Sequence, residues 1–304
     1  LYVSWLGDVY KRQNPEEYLK LFLFIHEKNG MGNIILDSGR RGVKNAYFLC
    51  CNFLFKIPYF YVLNANFANK MQVMEKYRIP MVPGPVAVPP EILEVAAFNY
   101  GSPDLEDEYI TLYKSTEKAL QKIMHTRHKI VIQTGEGMLA LWSALKSTLL
   151  PGDKVLALST GLFGYGIGMM AETLGCEVKI MDFGFNESIR EFELVEKAIR
   201  EFCPKMITMV HSETPSGTIN PVDQIGILKE KYEIPLLYVD AVSGIGGSLV
   251  KTDDWHIDFC LGASQKCLSA PANMAFLSVS EKAWEIIEEV GYVGYEACLL
   301  YTSD

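Results

Sequence analysis

The sequence predicts an α/β fold: a mostly parallel sheet with helices on both faces. Three observations predict it. Short apolar runs alternate with longer amphipathic segments between Ile130 and Leu261. The runs are continuously apolar, as strands covered on both faces are. Small and turn-forming residues mark the changeovers, as in Thr134-Gly135-Glu136-Gly137 and Pro151-Gly152-Asp153.

Length and charge bound the rest. A chain of 304 residues suits one large α/β domain or two smaller ones, and 49% hydrophobic content supports a real core. The net charge of -9 argues against nucleic acid or an anionic membrane as partner. It is unevenly spread: residues 1–70 carry +4 and residues 71–304 carry -13. Seven cysteines are scattered without a C-x-x-C pair or a histidine cluster, which predicts free, mostly buried thiols in a reducing, cytoplasmic setting.

Residues 1–70 read as foreign to the rest of the chain. The start lacks Met, and both LYVSWLGDVYKRQ at 1–13 and CLLYTSD at 298–304 resemble translated adapter sequence. Residues 45–70 are rich in Phe, Tyr, Asn, Lys, Ile and Leu, the output of AT-rich codons, and Met71 or Met74 offers a natural start. Residues 1–70 are therefore expected to be upstream sequence read in frame and poorly ordered. The apolar stretch 46–63 contains Lys56, Pro58 and Asn52, which argues against a membrane span.

Residues 71–90 form an N-terminal arm, because Pro80, Pro83 and Pro85 forbid a helix there. Pro89-Pro90 then opens a short helix, Glu91 to Phe98. After a loop at 99–104, residues 105–125 form an amphipathic helix with Leu105, Tyr109, Leu112, Tyr113, Leu120 and Ile123 as its apolar side. The strand Ile130–Ile132 leads through the Gly-rich turn to a helix from Met138 to Leu149. The strand Lys154–Leu158, a loop from Ser159 to Gly164 and a helix from Tyr165 to Leu174 come after it. Next are the strand Glu177–Met181, a helix over 189–202, the strand Met206–Val210 and a helix from Val222 to Tyr232. The strand Leu236–Val239 ends in Asp240, and the strand Ile257–Leu261 leads into Gly262-Ala263-Ser264-Gln265-Lys266. Residues 91–304 thus make one large, incomplete ligand-binding domain.

The chemistry gathers where strands end. In an open α/β sheet, ligands sit beyond the carboxyl ends of strands. An acid (Asp240) and an amine (Lys266) delivered there suit pyridoxal 5′-phosphate, whose aldehyde needs a lysine and whose ring nitrogen needs an acidic partner. The backbone of Gly135, Glu136, Gly137 and Met138 opens a helix and suits the phosphate. Glu136 puts a negative charge in that cup, so its side chain is expected to point away. Phe163 could stack on a pyridine ring, and the Thr214 hydroxyl could meet the ring oxygen. Gly135 to Ala140 also fits G-x-G-x-x-A, but Asp153 precedes the next strand instead of ending it, which weighs against a dinucleotide.

Residues 77–297 resemble the class V, fold-type I aminotransferases of the alanine–glyoxylate and serine–pyruvate group. The resemblance rests on Pro83-Gly84-Pro85, Thr134-Gly135-Glu136-Gly137, Gly161-Leu162-Phe163-Gly164, His211 to Gly217, Asp240-Ala241-Val242-Ser243 and Gly262 to Lys266, in matching order and spacing. It implies that Lys266 carries the Schiff base and shuttles the proton between Cα and C4′. It pairs Asp240 with the ring nitrogen, packs Val242 on one ring face, and gives the other face to Phe163. It places Gln265 with Gly135–Met138 on the phosphate, and Gly84 near the substrate. The implied activity is ping-pong transfer of an amino group from a small amino acid to a 2-oxo acid, in a cytoplasmic homodimer. The family continues into a small C-terminal domain that supplies the substrate-carboxylate arginine. An inactive fragment that binds the cofactor is therefore an open alternative. So is 2-aminoethylphosphonate–pyruvate transamination, which shares the Tyr100-Gly101-Ser102 region.

Overall fold

A computed structural model of the chain describes residues 33–39, 42–50, 53–57, 81–95, 98, 106–294 and 299. It divides into two compact units, Leu1–Pro80 and Met81–Asp304. In the first, β1 (Asn33–Gly39), β2 (Gly42–Cys50) and β3 (Phe53–Ile57) form an antiparallel sheet in that order. The termini at 1–13 and 300–304, Met71, Met74, the arm up to residue 80, the loop at 99–104 and Leu105 lie outside the described residues.

The second unit holds a seven-stranded sheet. Its strands are β4 (Lys129–Thr134), β5 (Lys154–Ser159), β6 (Glu177–Asp182), β7 (Met206–Val210), β8 (Leu236–Asp240), β9 (Phe259–Ala263) and β10 (Met274–Val279). The spatial order is β4-β10-β9-β8-β7-β5-β6. Neighbours from β9 to β6 run parallel, while β10 runs against both β4 and β9. The parallel sheet expected from the sequence is therefore present, with one antiparallel strand inserted.

The helices are α1 (Pro90–Val95), α2 (Asp107–Ile123), α3 (Gly137–Thr148), α4 (Leu162–Thr173), α5 (Phe192–Phe202), α6 (Val222–Lys231) and α7 (Glu281–Val290). They cover both faces. Strand β8 shows how: Leu237 and Val239 join a cluster with Leu120 of α2, Ile199 of α5 and Ile225 of α6, while Leu236 and Tyr238 join Leu141 of α3, Ile167 of α4 and Ile287 of α7. Each such side chain contributes about 1.5–3 kcal/mol when fully buried.

Two expectations need correction. The buried side of α2 runs through Tyr109, Tyr113, Glu117 and Leu120, leaving Leu112 and Ile123 exposed. The reason is polar: β4 is an edge strand, and the Glu117 carboxylate and Tyr113 hydroxyl accept from the Ile130 and Ile132 N–H groups. The four cysteines whose side chains are described are free, yet against expectation only Cys260 among them is buried, and Cys203 and Cys267 are exposed. No described helix is long and apolar enough to cross a membrane.

The sheet order reverses at β5, which lies between β6 and β7. Such a reversal opens a crevice beyond the strands' carboxyl ends. The segments after β4, β5, β7, β8 and β9 carry most of the residues singled out from the sequence.

Candidate active site

Asp240 is the last residue of β8, and Lys266 lies three residues past the end of β9, the parallel neighbour of β8. Both are buried. The two charges feel one another: each alters the other's proton affinity. The site brings together the acid and the amine expected from the sequence.

Their environments are built locally. One Asp240 oxygen accepts from the Val242 N–H at 2.9 Å, which fixes the carboxylate at the strand end. Burial pushes this carboxyl up to about 6; the Val242 N–H opposes the rise, the Glu213 carboxylate adds to it, and Lys266 opposes it. Burial pulls the Lys266 ammonium below the ordinary lysine range, against the pull of Asp240 and Glu136. A lysine so placed is a better base and nucleophile at neutral pH.

The Lys266 turn is pinned on three sides. Ser264 donates its N–H to the Met274 carbonyl at 3.0 Å and its hydroxyl to the Pro271 carbonyl. Ser269 N–H donates to the Lys266 carbonyl at 2.9 Å. From the arm, Val86 N–H donates to the Gln265 carbonyl at 3.1 Å, and the Gly84 carbonyl lies 3.5 Å from the Lys266 Nζ. Gly84 has φ +139, and a Cβ there would meet the Lys266 Cδ at 2.5 Å. Only glycine allows this approach.

Phe163 lies in the first turn of α4, which starts three residues earlier than the sequence suggests. Its expected place in a loop is thereby corrected. The cause is remote in sequence: the fully buried Glu213 carboxylate accepts from the N–H groups of Phe163 at 2.9 Å and Gly164 at 3.2 Å, capping the helix. A Cβ on Gly161 would fall 2.6 Å from the Glu213 Cγ, so this glycine makes room for the cap. Sequence reasoning reaches Glu213 only as part of a stretch. Its signal is a carboxylate just after a fully buried strand. Glu213→Gln is expected to cost about 0.5–2 kcal/mol, with loosening of Phe163, read from thermal melts and hydrogen exchange at Phe163 and Gly164.

Thr214 and Ser243 share a hydrogen bond of 2.5 Å, joining the segments after β7 and β8. His211 N–H donates to the Asp240 carbonyl at 2.8 Å, so its backbone braces the same strand end. Val242 touches the start of α3: a Cβ on Gly137 would lie 3.2 Å from its Cγ2 and 3.3 Å from the Ala263 Cβ. The start of α3 therefore abuts the strand ends that carry Asp240 and Lys266.

Glu136 corrects another expectation. Its side chain does not point away; it caps α3, accepting from the Met138 N–H at 3.1 Å. Its carbonyl takes the Leu139 N–H at 2.9 Å. Burial raises its carboxyl, opposed by the Met138 N–H and then by Lys266. Gln265 is buried, and its Oε1 has no hydrogen-bond partner among the described residues. Asp153, weighed for a ribose, is held by Lys205 at 2.7 Å and by the Leu150 N–H.

A buried acid and a buried amine of reduced proton affinity thus stand at neighbouring strand ends, with the start of α3 against them. The Aminotransferase class-V family profile matches residues 93–298, and the chain belongs to this family. Its members are pyridoxal-phosphate-dependent enzymes of one fold type. An uncharacterised aminotransferase of Methanocaldococcus jannaschii is 36% identical over 72% of this chain and 56% of its own length. Alanine–glyoxylate aminotransferase of Oryctolagus cuniculus is 30% identical over 68% of this chain and 52% of its own. The crystal structure of pyridoxamine–pyruvate aminotransferase from Mesorhizobium loti superposes with TM-score 0.68 at 30% identity, covering 73% of this chain and 57% of that one. The chain spans about half the length of the curated relatives it matches.

The chemistry of the ring end of the family's cofactor is matched by the residues present: a buried carboxylate, Asp240, and a buried amine, Lys266, at adjacent strand ends. The phosphate end does not fit as built, because a carboxylate already occupies the helix start where the anion would sit.

Proposed function

We propose that this chain is the ring-binding part of a transaminase that moves an amino group from a small amino acid, of alanine or serine type, to a 2-oxo acid, of glyoxylate or pyruvate type. The observation that carries this reading is the burial of Asp240 and Lys266 at adjacent strand ends, each perturbing the other. The names of the relatives support the acceptor class, since glyoxylate and pyruvate recur in them. One of those names also makes pyridoxamine the donor. The whole protein acts as a cytoplasmic homodimer in this proposal.

A bound pyridoxal ring supplies a carbonyl that captures an amine and a protonated nitrogen that withdraws electrons from it. Asp240 holds the proton at that nitrogen, and its raised proton affinity suits sharing it. Lys266, once free, takes a proton from the substrate Cα and returns it elsewhere, as a general base and then acid. Phe163 and Val242 exclude water from the two ring faces. Thr214, tied to Ser243, offers its hydroxyl to the ring oxygen. Gln265 and the Gly84 carbonyl hold the Lys266 turn in place.

The test is a panel of single amino acids added to ring-loaded protein. Alanine or serine is expected to bleach the visible band, and glyoxylate or pyruvate to restore it. A coloured protein that no amino acid bleaches would favour the second reading, a fragment that binds the ring without turnover. The half-length match to relatives is what keeps that reading in view. Bleaching by 2-aminoethylphosphonate alone would move the donor to that class.

A further inference from the structure

The start of α3 is the natural anion seat of this crevice, because helix N-termini offer unpaired N–H groups and a positive dipole end. Here the seat is filled from within. The Glu136 carboxylate takes the Met138 N–H, and the Glu136 carbonyl takes that of Leu139. A dianionic phosphate would meet a like charge there, and two of the N–H donors of this first turn are already engaged.

A second observation points the same way. Gln265, adjoining Lys266 and 6% exposed, presents an acceptor, Oε1, without a partner among the described residues. Buried acceptors call for a donor. A ligand hydroxyl would bring one.

We infer that Glu136 discriminates against the 5′-phosphate, so that this site takes the pyridoxal or pyridoxamine ring in its unphosphorylated, 5′-hydroxymethyl form. The inference rests on the transaminase reading for the ring itself, and goes beyond it in naming which form of the ring is bound. Glu136 acts as a selector in the binding site: with the seat occupied, the 5′-hydroxyl donates to a protein acceptor instead of drawing N–H donors to itself.

The experiment titrates the protein with pyridoxal and, separately, with pyridoxal 5′-phosphate. The aldehyde condenses with the Lys266 amine, losing water, and borohydride then delivers hydride to the C=N bond, leaving a secondary amine. Mass spectrometry of the intact protein counts each adduct and tells the two rings apart. Half-saturation is expected at a concentration roughly tenfold or more lower for pyridoxal than for its phosphate, in line with the cost of opposing like charges in a buried site. Glu136→Ser clears the seat and is expected to reverse the preference. Glu136→Gln keeps the cap without the charge and is expected to fall between. Equal or tighter binding of the phosphate form by the unaltered protein would overturn the inference and leave the transaminase reading standing. So would a preference for pyridoxal that neither substitution shifts. No Lys266 adduct with either ring would overturn both.

Discussion

Lys266→Ala is expected to remove the visible band of the ring-loaded protein and to lower transamination by roughly 10²–10⁴-fold from lost proton transfer alone. The fold should survive, because the lysine is held by its turn and not the reverse: the Ser264, Ser269 and Val86 contacts are made by other groups or by backbone. An exogenous small amine is expected to restore part of the activity, since the space and the acid partner remain. Retained colour and turnover in the alanine variant would assign the amine to another residue.

Asp240→Asn is expected to do two opposite things. Turnover falls, because an amide cannot hold a proton at a ring nitrogen. Stability of the ring-free protein rises, and the sign comes from the raised carboxyl. A folded-state value of about 6 against an ordinary 3.8 means that the folded chain binds the proton more tightly than the unfolded one. The stabilisation is fully present below the unfolded value and is lost as pH rises through about 6. Near pH 7.5 the wild type therefore carries about 3 kcal/mol of buried-charge cost that asparagine lacks. Thermal melts should show the variant ahead at pH 7.5 and the gap narrowing towards pH 4.5. A variant less stable than wild type at pH 7.5 would mean that Asp240 is already paired in the ring-free protein. Loss of function with gain of stability is the signature of a site held ready for a charged ligand.

The fold is legible where local sequence dominates. Leu236–Asp240 is an apolar run stopped by one acid, and Gly262–Lys266 is a run of small residues stopped by one amine; both sit at the expected strand ends. The inserted strand Met274–Val279 and helix Glu281–Val290 lie beyond the β/α alternation that makes the rest readable, and an antiparallel partner leaves no mark in its own residues. The start of α4 escapes local reading because its cap, Glu213, comes from 50 residues away. The apolar side of α2 does so because Glu117 and Tyr113 turn inward to satisfy an edge strand. Glu136 is out of place in a phosphate cup, as its charge alone indicates, yet it stays there. A carboxylate beside unpaired helix N–H groups gains more by capping them than by facing solvent.

In the proposed function, two neighbouring strands deliver an acid and an amine to opposite ends of one pyridine ring. A crystal structure of the protein soaked with pyridoxal tests it most directly. The ring nitrogen is expected on the Asp240 carboxylate, C4′ bonded to the Lys266 Nζ, and Phe163 and Val242 on the two faces. A ring bound elsewhere, or one that touches Lys266 with its nitrogen turned away from Asp240, would contradict it.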